Sequence, residues 1–286
     1  MAGRQAPRRL PAPEQLVARA RAAAAGPSAP DVPVRDAATV VLVRDGAEGP
    51  EVYLLRRHAR MAFAPGQAVF PGGGVDPRDR EVEVTWAGPP AAEWAVRLRC
   101  DGPTARGLIC AAVRETFEES GVLLAGDAAD TSVADTTGAE WEADRLALES
   151  REQSLADLLR RRGLVLRSDL LGAWAHWITP GFEPRRYDTR FFVAVLPAGQ
   201  RTRDVSSESD AVAWMRPLDA LDAVRDGRLA MMPPTEQTCV EIAELGCAAD
   251  ALPAAAARPL VTVEPRLVVE GDDVWLELAG PDEELS

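Results

Sequence analysis

The chain has 286 residues, 47% of them hydrophobic, which is enough to bury one large core or two small ones. The formal net charge of −13 argues against a general binding surface for nucleic acid or anionic membranes, because nothing in the composition attracts a polyanion at long range. All 32 basic residues are arginines, so Schiff-base chemistry and a P-loop lysine are excluded. An anionic substrate therefore needs local arginines.

The cysteines form no C-x-x-C pair; they are Cys100, Cys110, Cys239 and Cys247. The N-terminus has no signal-peptide core, and no apolar run approaches the roughly 20 residues of a membrane span. We therefore expect reduced thiols in a soluble, cytoplasmic protein without a membrane or nucleic-acid partner. The sequence leaves the oligomeric state open, and a homodimer is among the states it allows.

The first 33 residues are rich in Ala, Arg and Pro, which predicts a loosely ordered arm with a short helix at 14–25. The main domain is expected over residues 34–250, and it begins with a hairpin of two strands at 38–43 and 51–56.

A group of basic residues follows this hairpin, beginning with Arg56 and Arg57. A short strand at 67–70 then leads into a glycine turn at Gly72 and Gly73. An exposed charged loop is one interpretation of the arginines, and anion binding is the other.

The stretch at 111–124, AAVRETFEESGVLL, predicts a short helix that Gly121 would end. Glu115, Glu118 and Glu119 stand at i, i+3 and i+4, so three carboxylates crowd one face with no basic residue one turn later. A divalent ion that prefers oxygen ligands, Mg²⁺ or Mn²⁺, is the simplest way to offset this charge. A solvated acidic face is the alternative for this motif alone.

Two segments together resemble the Nudix box of the Nudix hydrolases, G-x5-E-x7-R-E-U-x-E-E-x-G-U, in which U is apolar. The first, at 67–76, reads QAVFPGGGVD, and the second, at 114–122, reads RETFEESGV. Counting from Gly73 places Asp79 where the pattern has its first glutamate. Residues 80–113 are 34 positions where the pattern has 7, so 27 residues are inserted and the box is split.

The resemblance implies an α/β/α sandwich with a mixed central sheet. It also implies that Glu115, Glu118 and Glu119, with a backbone carbonyl of Gly72 or Gly73, bind one or more Mg²⁺ or Mn²⁺ ions.

Catalytic roles follow from the same resemblance. Glu115 is a candidate base, and Arg114 is placed to hold a carboxylate in one rotamer. Many Nudix enzymes take a further acid from a loop before a late strand; Glu208 is our candidate, with Asp210 and Glu183 as rivals. The sequence does not assign the base among them.

The run Leu-Leu-Arg-Arg at 54–57, followed by Gln67 in Gly-Gln, resembles the extended motif of coenzyme A diphosphatases. A split box is also similar to the branch that includes acyl-coenzyme A diphosphatases. The resemblance implies cleavage of coenzyme A or acyl-coenzyme A to phosphopantetheine and adenosine 3′,5′-bisphosphate. The expected substrate-binding residues are Arg56, Arg57, Gln67, Arg185 and Arg186.

Two alternatives to this function stay open. The first is a Nudix pyrophosphatase acting on another small-molecule diphosphate, such as ADP-ribose, NADH or a nucleotide sugar. The second is a catalytically silent Nudix-fold nucleotide sensor. Asp79 in place of glutamate argues for this alternative, and the intact glutamates argue against it.

The remaining elements include two insertions, at about 80–106 and 125–168. The first is expected to form a cap, with Trp86 and Trp94 as core residues in the alternative interpretation. The second is expected to carry one long helix over the sheet. Strands are expected at 170–177, 190–196 and 211–215, helices at 140–162, 217–226 and 235–245, and a C-terminal β-hairpin extension over 251–286.

Overall fold

The computed structural model describes residues 8–11, 17, 21, 32–58, 64–81, 84–271 and 273–278. Most of the helix predicted at 14–25 lies outside the described residues. The described strands are β1 (Arg8–Pro11), β2 (Val34–Gly46), β3 (Gly49–Arg57), β4 (Ala68–Val69), β5 (Gly72–Gly74), β6 (Trp86–Ala87), β7 (Ala125–Gly126), β8 (Val165–Arg167), β9 (Gly172–Ile178), β10 (Arg186–Val195), β11 (Ser209–Met215), β12 (Thr262–Val263), β13 (Arg266–Glu270) and β14 (Asp273–Leu278). The described helices are α1 (Pro77–Glu81), α2 (Ala91–Leu98), α3 (Gly102–Ser120), α4 (Ala139–Glu149), α5 (Leu155–Arg162), α6 (Pro217–Arg225), α7 (Pro233–Ile242) and α8 (Ala251–Ala257).

The central sheet has the strand order β11-β3-β2-β10-β9-β12. β2 and β3 form the predicted hairpin, which closes between Gly46 and Gly49. β10 runs parallel to β2 and antiparallel to β9, so the sheet is mixed, as predicted. The short strands β4 and β5 pair with β3 and with the first half of β2.

Alternate residues of the sheet face two separate cores, as the two-residue period of a strand requires. On β2, Val40 and Leu42 pack in the core that contains α3, whereas Val41 and Val43 pack in the core that contains α7 and α8. Helices therefore cover both faces, and the predicted α/β/α sandwich is confirmed.

The glutamate-bearing helix α3 is longer than predicted. It spans the 19 residues Gly102–Ser120, whereas the sequence analysis placed its start at residue 111. Asp101 caps its N-terminus by accepting the Thr104 backbone N–H at 2.7 Å. Gly121 ends it with a φ of 74°, which confirms the predicted C-terminal glycine.

The prediction of one long helix at 140–162 is wrong. Two helices, α4 and α5, occupy this segment, and Arg151 between them has a φ of 62°. Ser154 starts α5 with a capping box, in which its hydroxyl accepts the Asp157 backbone N–H at 3.1 Å. α4 packs on α3, where the Trp141 ring meets the Phe117 ring edge-on at 6.1 Å.

The first insertion contributes β6 and α2. Trp94 and Leu98 of α2 are buried in the core with β2 and α3, and the Trp94 ring meets the Phe192 ring edge-on at 5.9 Å. Trp86 lies in a small sheet of order β6-β8-β7, where its indole N–H donates to the Ser168 hydroxyl at 2.9 Å. For Trp94, the structure therefore supports the core interpretation.

The C-terminal hairpin predicted around Gly271 is present as β13 and β14. β1 pairs antiparallel with β14, so part of the expected arm is a strand in a three-stranded sheet. β12 joins the central sheet beside β9. The division of the chain into an arm (1–33), a domain (34–250) and an extension (251–286) stays a prediction.

The four cysteines are free thiols, as expected. Cys110 and Cys239 are buried in the two cores, so both have a packing role. Across the described ranges, no helix combines the length and the apolar character that a membrane crossing needs.

Candidate active site

The predicted glycine turn is the short strand β5, which approaches α3 closely. Gly73 pairs with Ala38 of β2. A Cβ atom on Gly73 would overlap the Glu115 carboxylate, and one on Gly72 would lie 2.5 Å from the Ala38 carbonyl oxygen. A side chain at position 72 would therefore overlap the backbone of β2, and one at position 73 would displace the Glu115 carboxylate.

Arg114 joins the two halves of the split box. Its Nη2 donates to Asp79 Oδ2 at 3.0 Å and to the Gly74 carbonyl at 2.9 Å. Its Nη1 lies 2.7 Å from Glu115 Oε1 and 3.3 Å from Glu118 Oε1. Asp79 and Arg114 are therefore in contact, although the inserted residues separate them in the sequence.

Asp79 is buried, and its shorter side chain is well accommodated. Besides Arg114, it accepts the Asp76 backbone N–H at 3.0 Å. Burial raises the pKa of Asp79, while the Arg114 charge acts in the opposite direction. Replacing the glutamate of the pattern by aspartate thus preserves the contact that closes the box.

The three glutamates of α3 lie in a water-poor environment. Burial raises the pKa of Glu118 to about 7, with a further rise from the charge of Glu115 and opposition from Arg114. Burial also raises the pKa of Glu115, and it raises that of Glu119 well above its usual range. Glu119 accepts the Gly72 backbone N–H at 2.8 Å. One guanidinium, that of Arg114, contacts Glu115 and Glu118, so the three carboxylates carry an excess of negative charge.

Within the described part of the chain, no three metal-binding side chains already converge on one point. Glu115 and Glu118 contact Arg114, while Glu119 turns toward Gly72. The donor set nevertheless fits Mg²⁺ or Mn²⁺, because it consists of hard carboxylate oxygens whose charge Arg114 and Arg57 offset only in part. The backbone N–H of Gly72 faces Glu119. The metal ligand predicted here, a backbone carbonyl of Gly72 or Gly73, therefore stays a prediction.

Two ion pairs connect the edge strand β11 to β3 beside the glutamates. Arg57 Nη2 lies 2.8 Å from Glu208 Oε2, and Arg56 Nε lies 2.6 Å from Asp210 Oδ1. After burial and Glu115, the charge of Glu208 is a further cause of the raised pKa of Glu119. Glu208 is therefore close to the metal-binding candidates, as its predicted role requires.

Gln67 lies next to Arg57 across the β3–β4 pairing. The Arg57 backbone N–H donates to the Gln67 carbonyl at 3.0 Å. Gln67 Oε1 and Arg57 Nε are both buried and have no hydrogen-bond partner among the described residues. An unpaired buried acceptor and donor side by side are groups that a substrate could satisfy.

Arg185 and Arg186 were also predicted to bind substrate, but their surroundings differ from those of Arg56 and Arg57. Arg186 Nη2 lies 2.5 Å from Glu264 Oε1, and its Nε donates to the Thr179 carbonyl at 3.0 Å. Its guanidinium is thus bonded to the C-terminal segment and to no glutamate of α3. Arg185 is exposed beside it. The structure does not join this pair to the glutamates, so their substrate-binding role stays a prediction.

The sequence analysis missed the contacts that α4 makes with the site. Arg145 is buried and donates to the Glu118 carbonyl at 2.8 Å. Glu142 and Glu149 stand three residues before and four residues after Arg145, and both pair with it. These separations of three and four residues on one helix were a readable signal that Arg145 is held by ion pairs.

Comparisons with known proteins agree with the site. A family model described as the NUDT19 Nudix domain matches residues 103–242. A crystal structure of a Nudix hydrolase from Alicyclobacillus acidocaldarius is 30% identical, with a TM-score of 0.65; the match covers 78% of this chain and 96% of that one.

Two relatives carry the name acyl-coenzyme A diphosphatase NUDT19. The Gallus gallus protein is 28% identical over 253 residues, covering 70% of this chain and 65% of that protein. The Homo sapiens protein is 26% identical over 231 residues, covering 66% and 59%. The chain thus spans about 60% of the length of these relatives. With the split box, the sandwich and the 30% identical structure, these findings place the chain in the Nudix hydrolase family.

Proposed function

We propose that the chain is a Nudix diphosphatase that uses Mg²⁺ or Mn²⁺ and cleaves coenzyme A or acyl-coenzyme A to phosphopantetheine and adenosine 3′,5′-bisphosphate. The observation that carries the metal-dependent part is that the buried Glu118 and Glu119 and the partly buried Glu115 lie on one helix, where Arg114 contacts Glu115 and Glu118. A divalent cation would offset the negative charge of these carboxylates.

Glu115, Glu118 and Glu119 are the residues that would hold the metal. When bound, a divalent ion neutralises charge that develops on the diphosphate oxygens and orients the attacked phosphorus. Arg114 keeps two of the three carboxylates in fixed rotamers through its 2.7 Å and 3.3 Å contacts.

Glu208 is our candidate for the residue that positions or deprotonates the attacking water. Its side chain is 50% exposed, so water reaches it, and Arg57 holds it at 2.8 Å. In this reading a proton passes from water to a carboxylate oxygen as the P–O–P bridge breaks. Glu115 is the alternative base.

The coenzyme A assignment rests on the upstream motif and on the similarity to proteins named acyl-coenzyme A diphosphatase. In a chain of charge −13, phosphate groups need local cations. Arg57 is such a cation, because its charge acts on the pKa of Glu119, and Arg56 is next to it on β3. Arg56 is 52% exposed, so a phosphate could replace its ion pair with Asp210 at little cost.

Another diphosphate, such as ADP-ribose or NADH, is the second candidate. The observation in its favour is that Arg56 and Arg57 already pair with Asp210 and Glu208. Because both arginines are paired with carboxylates, neither is reserved for the 3′-phosphate, the group that distinguishes coenzyme A from those compounds.

The test is a hydrolysis screen that identifies products, with Mg²⁺ and Mn²⁺, over coenzyme A, an acyl-coenzyme A, dephospho-coenzyme A, ADP-ribose and NADH. If an arginine binds the 3′-phosphate, loss of that contact removes about 1.5–3 kcal/mol. We therefore expect kcat/KM for dephospho-coenzyme A to be about 10- to 150-fold lower than for coenzyme A.

The arginine responsible is identified by Arg56→Gln and Arg57→Gln, one of which should erase this difference. Arg216→Gln is the matched control, because Arg216 is a 39% exposed arginine next to β11 that also pairs with an aspartate. Equal rates on the two coenzyme A compounds, or faster cleavage of NADH or ADP-ribose, would support the second candidate.

A further inference from the structure

Helix α4 lies against the end of α3 that carries the glutamates. The Trp141 ring packs edge-on against the Phe117 ring at 6.1 Å. Phe117 directly precedes Glu118 and Glu119, so the contact lies at the last turn of α3. That turn holds two of the three carboxylates and is where helices fray most readily.

Arg145 of α4 binds the backbone of this turn. Its side chain is 3% exposed, and its Nη1 donates to the Glu118 carbonyl at 2.8 Å. Since α3 ends at Ser120, the Glu118 carbonyl is among the last four of the helix, which lack an intrahelical partner. A positive charge at the C-terminus of a helix also interacts favourably with its dipole.

Two acidic side chains hold the Arg145 guanidinium in place. Glu142 Oε1 lies 2.8 Å from its Nη2, and Glu149 Oε2 lies 3.0 Å from its Nη1. Glu142 also pairs with Arg203 at 2.6 Å, and the Arg203 backbone N–H donates to the Ser120 carbonyl at 2.8 Å. Two terminal carbonyls of α3 are therefore bonded through one connected network.

The C-terminal end of α4 contacts the other parts of the site. Glu149 accepts the hydroxyl hydrogen bond of Ser207, the residue before Glu208. In the turn after α4, the Arg151 carbonyl accepts from Arg78 Nη1 at 3.2 Å, and Arg78 is paired with Asp76. α4 and its turn thus touch the last turn of α3, the Glu208 loop and the segment that carries Asp79.

We propose that Arg145 is a positioning residue for the reaction. By bonding the Glu118 carbonyl, it fixes the last turn of α3, and with it the carboxylates of Glu118 and Glu119. Through Glu149 it ties this turn to the loop that carries Glu208. Arg145 acts through these residues, and among the described residues its hydrogen bonds are with Glu118, Glu142 and Glu149 and with no substrate-binding candidate. The inference rests on the proposed metal site at Glu118 and Glu119.

The test compares Arg145→Met and Arg145→Lys with the wild type. Glu142 keeps Arg203 as a partner, and the side chains of Glu142 and Glu149 are 32% and 26% exposed, so water can solvate them in the variants. Arg160→Met is the matched control, since Arg160 is a 64% exposed arginine of the same insertion whose ion pair is with Asp157.

In Arg145→Met we expect kcat to fall about 10-fold or more, because a misplacement of about 1 Å can reduce a rate about 100-fold. KM for the diphosphate should change less than about threefold, since no substrate contact is lost. Mn²⁺ affinity, measured without substrate from the electron paramagnetic resonance signal of the free ion, should fall about 10-fold. Arg145→Lys keeps the charge and one donor, so it should lie between Arg145→Met and the wild type.

Ser207→Ala tests the connection to the Glu208 loop. It removes the hydroxyl that bonds Glu149 and leaves the Glu118 carbonyl bonded to Arg145. We expect a lower kcat with unchanged Mn²⁺ affinity, which separates this link from the one through Glu118.

Three results decide the inference. It is overturned if Arg145→Met matches Arg160→Met in kcat and Mn²⁺ affinity, or loses only thermal stability. If Arg145→Met does not fold, wild-type kcat and Mn²⁺ affinity in Arg145→Lys overturn it. Glu118→Gln separates this outcome from a failure of the proposed function, because full activity in that variant would refute the metal site itself.

Discussion

At the scale of single residues, the site depends on close contacts to Arg114 and to the glycine turn. The spacing of the motif predicts Arg114 and the glutamates as site residues, and the structure has Arg114 in contact with Glu115 and Glu118. The spacing did not identify Asp79 as a partner of Arg114, whose Nη2 lies 3.0 Å from Asp79 Oδ2 in the structure. The partner of Arg186 was not predictable, since Glu264 lies 78 positions away in a segment with no motif.

The neighbours Gly73 and Gly74 give a residue-scale prediction. A Cβ atom on Gly73 would overlap the flexible Glu115 carboxylate, whereas the nearest atom to a Cβ on Gly74 is 4.0 Å away. Gly73→Ala should therefore fold but displace Glu115, and kcat should fall by about 10- to 100-fold. Gly74→Ala should stay within about threefold of the wild type, because only open space is filled.

Steady-state kinetics at saturating Mn²⁺ and circular dichroism measure the two effects. Equal activities in the two alanine variants would show that the position of Glu115 does not limit the reaction.

At the scale of elements, the sequence predicted the buried part of each strand better than its ends. β2 was predicted at 38–43 but spans Val34–Gly46, because its ends carry exposed or charged residues that break the apolar pattern. The start of α3 was not predicted, although Asp101 is a recognisable N-cap and Pro103 is typical of the first turn of a helix. The break between α4 and α5 was likewise signalled by Ser154 and Asp157.

The role of the first insertion could not be read from its pattern. A tryptophan in a short amphipathic helix fits a cap and a core equally well, and only the tertiary contact of Trp94 with Phe192 distinguishes the two. Since Trp94 and Leu98 are buried with β2 and α3, deletion of the insertion should unfold the domain and not merely alter its substrate preference.

Trp94 and Val96 allow this to be tested within one helix. Trp94 is 6% exposed and Val96 is 82% exposed. Trp94→Ala should lower the free energy of unfolding by about 3–5 kcal/mol, because it leaves a cavity in the core. Val96→Ala should change it by less than about 0.5 kcal/mol. Urea unfolding measures both changes in the free energy of unfolding. A small effect of Trp94→Ala would indicate that α2 is a cap and not part of the core.

At the scale of the whole molecule, distant segments of the chain meet on the central sheet. Arg97 of α2 donates to the carbonyls of Ala255 and Arg258, at 2.5 Å and 2.7 Å. On the sheet itself, His176 bridges Asp188 of β10 and Thr262 of β12, at 2.6 Å and 2.7 Å. The insertion and the C-terminal segment therefore brace the same part of the fold. No local pattern predicts such pairings, because they join residues far apart in sequence.

The central claim is that the buried glutamates of α3 hold the metal that the hydrolase needs, and it is tested most directly by Glu118→Gln and Glu119→Gln. Each change removes a charge but keeps the side-chain volume. Glu140→Gln is the control, because the Glu140 side chain is 91% exposed. Turnover of the best diphosphate substrate is measured against Mg²⁺ and Mn²⁺ concentration, and after removal of metal by a chelator.

We expect both site variants to stay folded and to lose about 100-fold or more in metal-dependent turnover, which corresponds to about 2.7 kcal/mol of barrier. The wild type and Glu140→Gln should lose activity with the chelator and regain it with either ion. Unchanged turnover in Glu118→Gln and Glu119→Gln, or wild-type turnover that survives the chelator, would contradict the account.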